Sequence, residues 1–238
     1  MSKTAQVSQD RSVFNTSLLP EFEYQSLFSC PHISEESIDE SSRGGIIVYI
    51  ETYRFTAKSL YSPKTKFDEY SDEIQQLYKV TFCDKTVMEK FVSGVTKTQD
   101  EFVTNVNLQS LRWSYGYKFA GFIITDNSND NVVGYEVIGN SGISNKGEIA
   151  YLFNKDYHRT KDMQNVGYEN VGALVLEYGK ELYKSKQLVN QGFNHDKTAL
   201  IGEEALKGVV ATAKDDNLGS CRILEKTGFF YTYDTFKF

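Results

Sequence analysis

The chain has 238 residues, with 26 lysines and arginines against 32 aspartates and glutamates, a formal net charge of −6. That balance offers no basic stripe for nucleic acid, and no apolar run approaches the ~20 residues that a membrane helix needs. With 40% hydrophobic and 14% aromatic residues, the composition supports one substantial core and excludes disorder along the whole length.

Residues 1–45 read as an acidic, serine-rich arm outside the main domain. Seven acids there face three bases, and Phe14, Phe22, Tyr24 and Phe28 are scattered without clear period. From Gly44-Gly45 the character changes. Ile46 to Ile50, continuing through Thr56, predicts the first strand. Tyr70, Ile74, Leu77 and Tyr78 predict a helix over 68–80; Val87, Met88 and Phe91 predict another over 85–93. A longer helix is expected over 98–114. Strands follow at 118–125, 132–138 and 148–153, joined by polar turns such as Asp126 to Asp130, which suits an antiparallel meander.

Val171, Leu174, Val175, Tyr178 and Leu182 recur on one face and predict a helix over 168–184. Residues 185–204 read as a loop. A strand is expected over 206–213, then a helix capped by Asp215 or Asp216 and running to Lys226, with Gly228 in the left-handed position after it. Residues 229–236 read as a closing strand. The strands at 148–153 and 206–213, joined through a helix, should be parallel neighbours in a mixed sheet. Residues 46–238 are thus expected to form one domain.

Chemistry gathers at two joints. Between strand 148–153 and its helix lie Lys155, His158, Arg159, Lys161 and Gly167; a helix start after such a loop binds phosphates through free main-chain amides. The second joint is Ala211-Thr212-Ala213-Lys214-Asp215-Asp216-Asn217-Leu218-Gly219-Ser220, continuing to Leu224-Glu225-Lys226-Thr227-Gly228-Phe229. Cys30, Cys83 and Cys221 are too few and too scattered for a disulfide framework or zinc site. No metal is expected. Met1 to Gln6 has no apolar signal core, and a reducing cytoplasm is the expected compartment.

The second stretch resembles the last strand–helix–strand unit of the GNAT superfamily of N-acetyltransferases. Gly147-Glu148-Ile149-Ala150-Tyr151-Leu152-Phe153, Tyr157-His158-Arg159 and Gly167-Tyr168 resemble the family's upstream block. They are similar above all to its ribosomal-protein N-terminal acetyltransferase branch. The resemblance covers about residues 46–238. It implies an α+β fold: a mixed, mostly antiparallel central sheet with a splayed parallel strand pair, flanked by helices. It also implies acetyl-CoA as co-substrate and an amine acceptor, with no nucleic-acid or membrane partner; a homodimer is left open.

Carried over residue by residue, the resemblance places the cofactor against Tyr151, Leu152, Phe153, Arg159, Gln164, Val166, Gly167, Tyr168, Asn217 and Ser220. Ser220 is the candidate acid for the leaving thiolate, and Asn217 the holder of the pantetheine arm. Glu148 is the candidate base for the amine, with Glu136 as its competitor; each could equally be a structural carboxylate. His32 and His195 read as structural. The chain departs from the family in three ways: Glu169 stands where the family's phosphate loop has a small residue, that loop has extra residues around Thr160 to Met163, and the link at 185–204 is long. A second reading is therefore a degenerate domain that binds acyl-CoA or a protein without turnover. A third makes the acidic arm the working part.

Overall fold

The computed structural model describes residues 11–17, 31–38, 45–91, 93–141, 143, 145–158, 163–189, 192–193, 200–201 and 204–232. Its strands are β1 (Arg11–Ser17), β2 (His32–Ser37), β3 (Ile46–Glu51), β4 (Phe55–Ser59), β5 (Gly121–Asp126), β6 (Val132–Asn140) and β7 (Lys146–Phe153). They continue with β8 (Leu188–Val189), β9 (Gly192–Phe193), β10 (Leu200–Ile201), β11 (Glu204–Ala205), β12 (Gly208–Lys214) and β13 (Phe230–Thr232). The helices are α1 (Asp72–Leu77), α2 (Lys85–Met88), α3 (Gln99–Ser114), α4 (Met163–Gly172), α5 (Gly179–Lys184) and α6 (Leu218–Lys226). Wider π turns extend α1 over Tyr78–Phe82 and join α4 to α5 over Ala173–Tyr178.

Nine strands form one sheet in the order β13-β1-β12-β7-β6-β5-β4-β3-β2. Its neighbours are antiparallel except β7 and β12, which run parallel. This is the expected mixed sheet. The parallel ladder runs from Gly208 opposite Lys146 to Ala211 opposite Ile149, and then both strands continue, to Lys214 and Phe153, without pairing. The sheet therefore splays where strand β7 feeds α4 and β12 feeds α6.

Period-two alternation sorts the core onto two faces. Ile123, Tyr135 and Leu152 pack with Ile74, Leu77, Phe82, Phe102 and Val106 from the α1–α3 side. Phe122, Ile138, Ile149 and Phe153 pack with Val171, Leu174, Tyr178 and Leu224 from the α4–α6 side. Trp113, at the end of α3, is fully enclosed and donates its indole N–H to the Gly121 carbonyl at 3.0 Å.

Local signals account for several ends. Thr98 caps α3: its hydroxyl accepts from the Glu101 N–H at 3.3 Å, and the Glu101 carboxylate accepts from the Thr98 N–H at 2.8 Å. Replacing Thr98 with alanine should cost about 1 kcal/mol and lower Tm by roughly 2–4 °C in a thermal melt. Gly228 takes φ +85° after α6, as expected, and the following Phe229 N–H reaches back to the Leu224 carbonyl at 3.0 Å.

Other expectations need correction. The described segments of residues 1–45 belong to the sheet: β1 lies between β12 and β13, and β2 forms the opposite edge. Residues 46–56 hold two strands with a turn at Thr52 to Arg54, where the Thr52 N–H donates to Phe55. Within 185–204, β8 pairs with β11 and β9 with β10. The cap of α6 is Asn217, whose side chain accepts from the Ser220 N–H, while Asp216 is drawn off by Lys90. Of the closing strand, residues 233–236 lie outside the described residues.

Candidate active site

A cavity of about 580 Å³ occupies the gap between the splayed ends of β7 and β12. Glu148 to Phe153 form one wall and Ala211 to Lys214 the other. Asn217, Ser220 and Ile223 of α6 close one side, and Thr86, Val87, Lys90 and Phe91 close the opposite one. The gap thus reaches both faces of the sheet.

On the α4–α6 face, Tyr151 stacks on Phe153 with ring centroids 5.4 Å apart. The Tyr151 phenol oxygen lies 2.6 Å from Ser220 Oγ. Burial pushes the phenol's pKa up, the Ser220 hydrogen bond pulls it down, and the Glu136 charge raises it further. Asn217 brings Ser220 to this point, because its side chain caps α6 and fixes the first helical turn.

On the other face, Glu148 follows the parity of Leu152, and its Oε1 accepts from the Thr212 hydroxyl at 3.2 Å. Thr212 was not foreseen. Its parity on β12, opposite to buried Ala211 and Ala213, was a readable signal. The wall from α2 was also missed, because no local pattern reports a contact across the sheet. Three lysines tie that wall down. Lys155 meets Asp84 at 2.8 Å, Lys90 meets Asp216 at 2.5 Å, and Lys214 donates to the Glu89 carbonyl at 2.9 Å. Asp84 also caps α2, and the Lys155 hydrogen bond is the main cause holding its carboxyl below the usual range.

The cavity brings together Glu148, Tyr151, Leu152, Phe153, Gly167, Asn217 and Ser220. Arg159 and Lys161 lie outside the described residues, as does His195; Gln164, Val166 and Tyr168 are placed only as backbone of α4. The helix begins at Met163, not at 168, so its free first-turn amides are upstream of Gly167. Gly167 instead lets α4 approach α6: a β-carbon there would meet Ile223 Cδ1 at 2.4 Å. Glu169 is buried, 5% exposed, and lies outside the cavity lining. Glu136 also lies off the lining and is completely enclosed, which rules it out as a base in direct contact with an acceptor. His158 lines the cavity, and its Nε2 is 2.7 Å from the Phe153 carbonyl. His32 sits exposed in β2.

Among the described residues, no helix is long and apolar enough to cross a membrane, and no cluster of histidine, cysteine and acidic residues could hold a metal. The sequence model of the acetyltransferase (GNAT) domain matches residues 67–230. A GNAT-family acetyltransferase structure from Bacillus anthracis superposes with TM-score 0.50 at 20% identity, over 76% of this chain and 82% of that one. A structure assigned to the GnaT family from Bordetella pertussis gives TM-score 0.50 at 15% identity, over 80% and 92%. A search of curated proteins finds no match. With the family match spanning both walls of the cavity, this chain belongs to the GNAT acetyltransferase family.

Proposed function

We propose that this protein transfers the acetyl group of acetyl-CoA to a primary amine, on a protein N-terminus or a small molecule, by direct attack. The observation that carries the reading is the cavity with Glu148 on one face of the sheet and the Ser220–Tyr151 pair on the other. A thioester between the splayed strands would then have a base on its acceptor side and an acid on its sulfur side.

The residues present fit the co-substrate. The cavity, about 580 Å³, lies within the roughly 300–1,000 Å³ usual for small-molecule sites. First-turn amides of α4 would face the diphosphate. Beyond Ile149, the β7 main-chain groups that point toward β12 have no ladder partner there, so an amide is available to the thioester carbonyl, where negative charge develops. Glu148 takes the proton that the ammonium must lose before it can attack. Ser220, oriented by Tyr151, returns a proton to the departing thiolate. The degenerate alternative rested on Glu169 and on the lengthened phosphate loop; Glu169 stands away from this cavity, and loop residues 159–162 lie outside the described residues. Free Cys83 and Cys221 suit a reducing cytoplasm.

Titration with acetyl-CoA by calorimetry should give one-site binding, and free thiol should appear when amines are added. Ser220→Ala should keep that binding and lower kcat about 100-fold, the scale of one lost acid. A flat calorimetric trace with the intact chain overturns the reading.

A further inference from the structure

Glu136 is a buried carboxyl in the middle of the central strands that the reaction above leaves unused. It is 0% exposed, and neither carboxyl oxygen has a hydrogen-bond partner among the described residues. Leaving such a group unsatisfied costs stability, so its presence needs a cause. Across the ladder it faces Tyr151 on β7 and Phe122 on β5. Opposed residues on one sheet face have β-carbons about 4.5–5.5 Å apart. Tyr151 in turn reaches the cavity, where its hydroxyl meets Ser220 Oγ at 2.6 Å. Three oxygen-bearing side chains therefore follow one another from the core to the cavity.

We propose that Glu136 is a positioning residue for acetyl transfer, a protonated carboxyl that supplies, through Tyr151 and Ser220, the proton taken up by the departing thiolate. This rests on the acetyltransferase reading. Because neither carboxyl oxygen bonds the phenol directly, the row requires a bridging water, through which the Glu136 proton reaches Tyr151. The Ser220 O–H bond breaks as the S–H bond forms; Ser220 takes the Tyr151 proton, and Tyr151 takes that of Glu136. The carboxylate left behind regains a proton from solvent along the same row once the thiol departs.

The acidities support the order. Burial alone raises Glu136 to about 8. That is close to the value of about 8.5 of a free thiol, so transfer along the row is nearly balanced. Burial pushes the Tyr151 phenol higher, which makes it a poor acid unaided. The helices over this face carry Glu169, Tyr178 and Cys221 as enclosed or half-enclosed titratable groups. Tyr178 is committed to the Lys118 carbonyl at 2.9 Å. The Cys221 thiol is itself raised, first by burial and then by Glu225.

The test uses the full chain with Glu136→Gln, Tyr151→Phe and both together. Glutamine should leave the acetyl-CoA Kd within about twofold and lower kcat about 100-fold. The parent is expected to lose kcat above about pH 8, as the carboxyl ionises, and the glutamine variant should not. The double variant should be no slower than the slower single one, because one row is cut in two places. Independently of turnover, carbon-13 NMR of labelled glutamate should show a carboxyl titrating near pH 8 that is missing in Glu136→Gln and displaced in Tyr151→Phe. Unchanged kcat in Glu136→Gln, additive losses, or a titration indifferent to Tyr151→Phe each overturn the proposal. If the intact chain turns over no amine, the acetyltransferase reading fails, and the carbon-13 titration still decides whether the two groups are linked. Should the glutamine variant fail to fold, the Tyr151→Phe titration decides alone.

Discussion

Replacing Glu148 with glutamine is expected to lower kcat/KM for any amine acceptor by about 100- to 10,000-fold at neutral pH, the range for loss of a placed general base. Glutamine has nearly the same shape and keeps an oxygen for the Thr212 hydroxyl, now 3.2 Å from Glu148 Oε1. The wall of the cavity should therefore stand, and acetyl-CoA should bind as before. Most of the loss should return as pH approaches the pKa of the acceptor, because solution then delivers the amine already neutral. Stopped-assay rates between neutral pH and the acceptor's pKa, measured beside calorimetry on the same variant, check both halves. A variant as fast as the parent at neutral pH hands the deprotonation to water and leaves Glu148 as a partner of Thr212.

Gly134→Ala is expected to be the most damaging of the small substitutions to stability. A β-carbon at Gly134 would lie 2.2 Å from the Leu152 carbonyl oxygen, and that atom belongs to the backbone of β7 and cannot turn aside. Relief requires the central ladder to part where it shapes the cavity. Overpacking of this kind costs about 3 kcal/mol, at the upper end of its usual range, and should lower Tm by roughly 6–12 °C. Gly139→Ala is the control on the same strand. Its β-carbon would have nothing nearer than 3.8 Å, so its melt should match the parent's within a degree or two. Equal melts for the two variants would mean that the ladder is looser than this packing implies.

The nearness of Asn217 and Ser220 was legible because it is local, although the cap itself was expected at Asp215 or Asp216. Asn217 and Ser220 lie three residues apart, and a cap followed by one helical turn brings them together whatever the rest of the chain does. Gly228 was legible for the same reason, since only a residue free of a β-carbon takes φ +85° at little cost. The start of α4 was not. Gly167 reads as a break near a ligand, yet its bareness serves the contact with Ile223, some 56 residues later. The π turns at 78–82 and 173–178 each admit a wider winding, so a strict 3.6-residue count drifts past them. The β8–β11 and β9–β10 pairs are two residues long on each side, too short for any period. β1 was missed because its strand partners lie at the far end of the chain, where no window of neighbouring residues can report them.

That placement of β1 governs how the molecule can be made. β13 joins the sheet through β1, and β1 joins it through β12. Residues 11–17 therefore have no strand to dock on until residues 208–214 have left the ribosome. Until then β1 is an unclaimed β edge, and the cavity lacks its second wall. Two segments far apart in sequence must assemble together, so the nascent chain should acquire co-substrate affinity abruptly, once β12 has emerged.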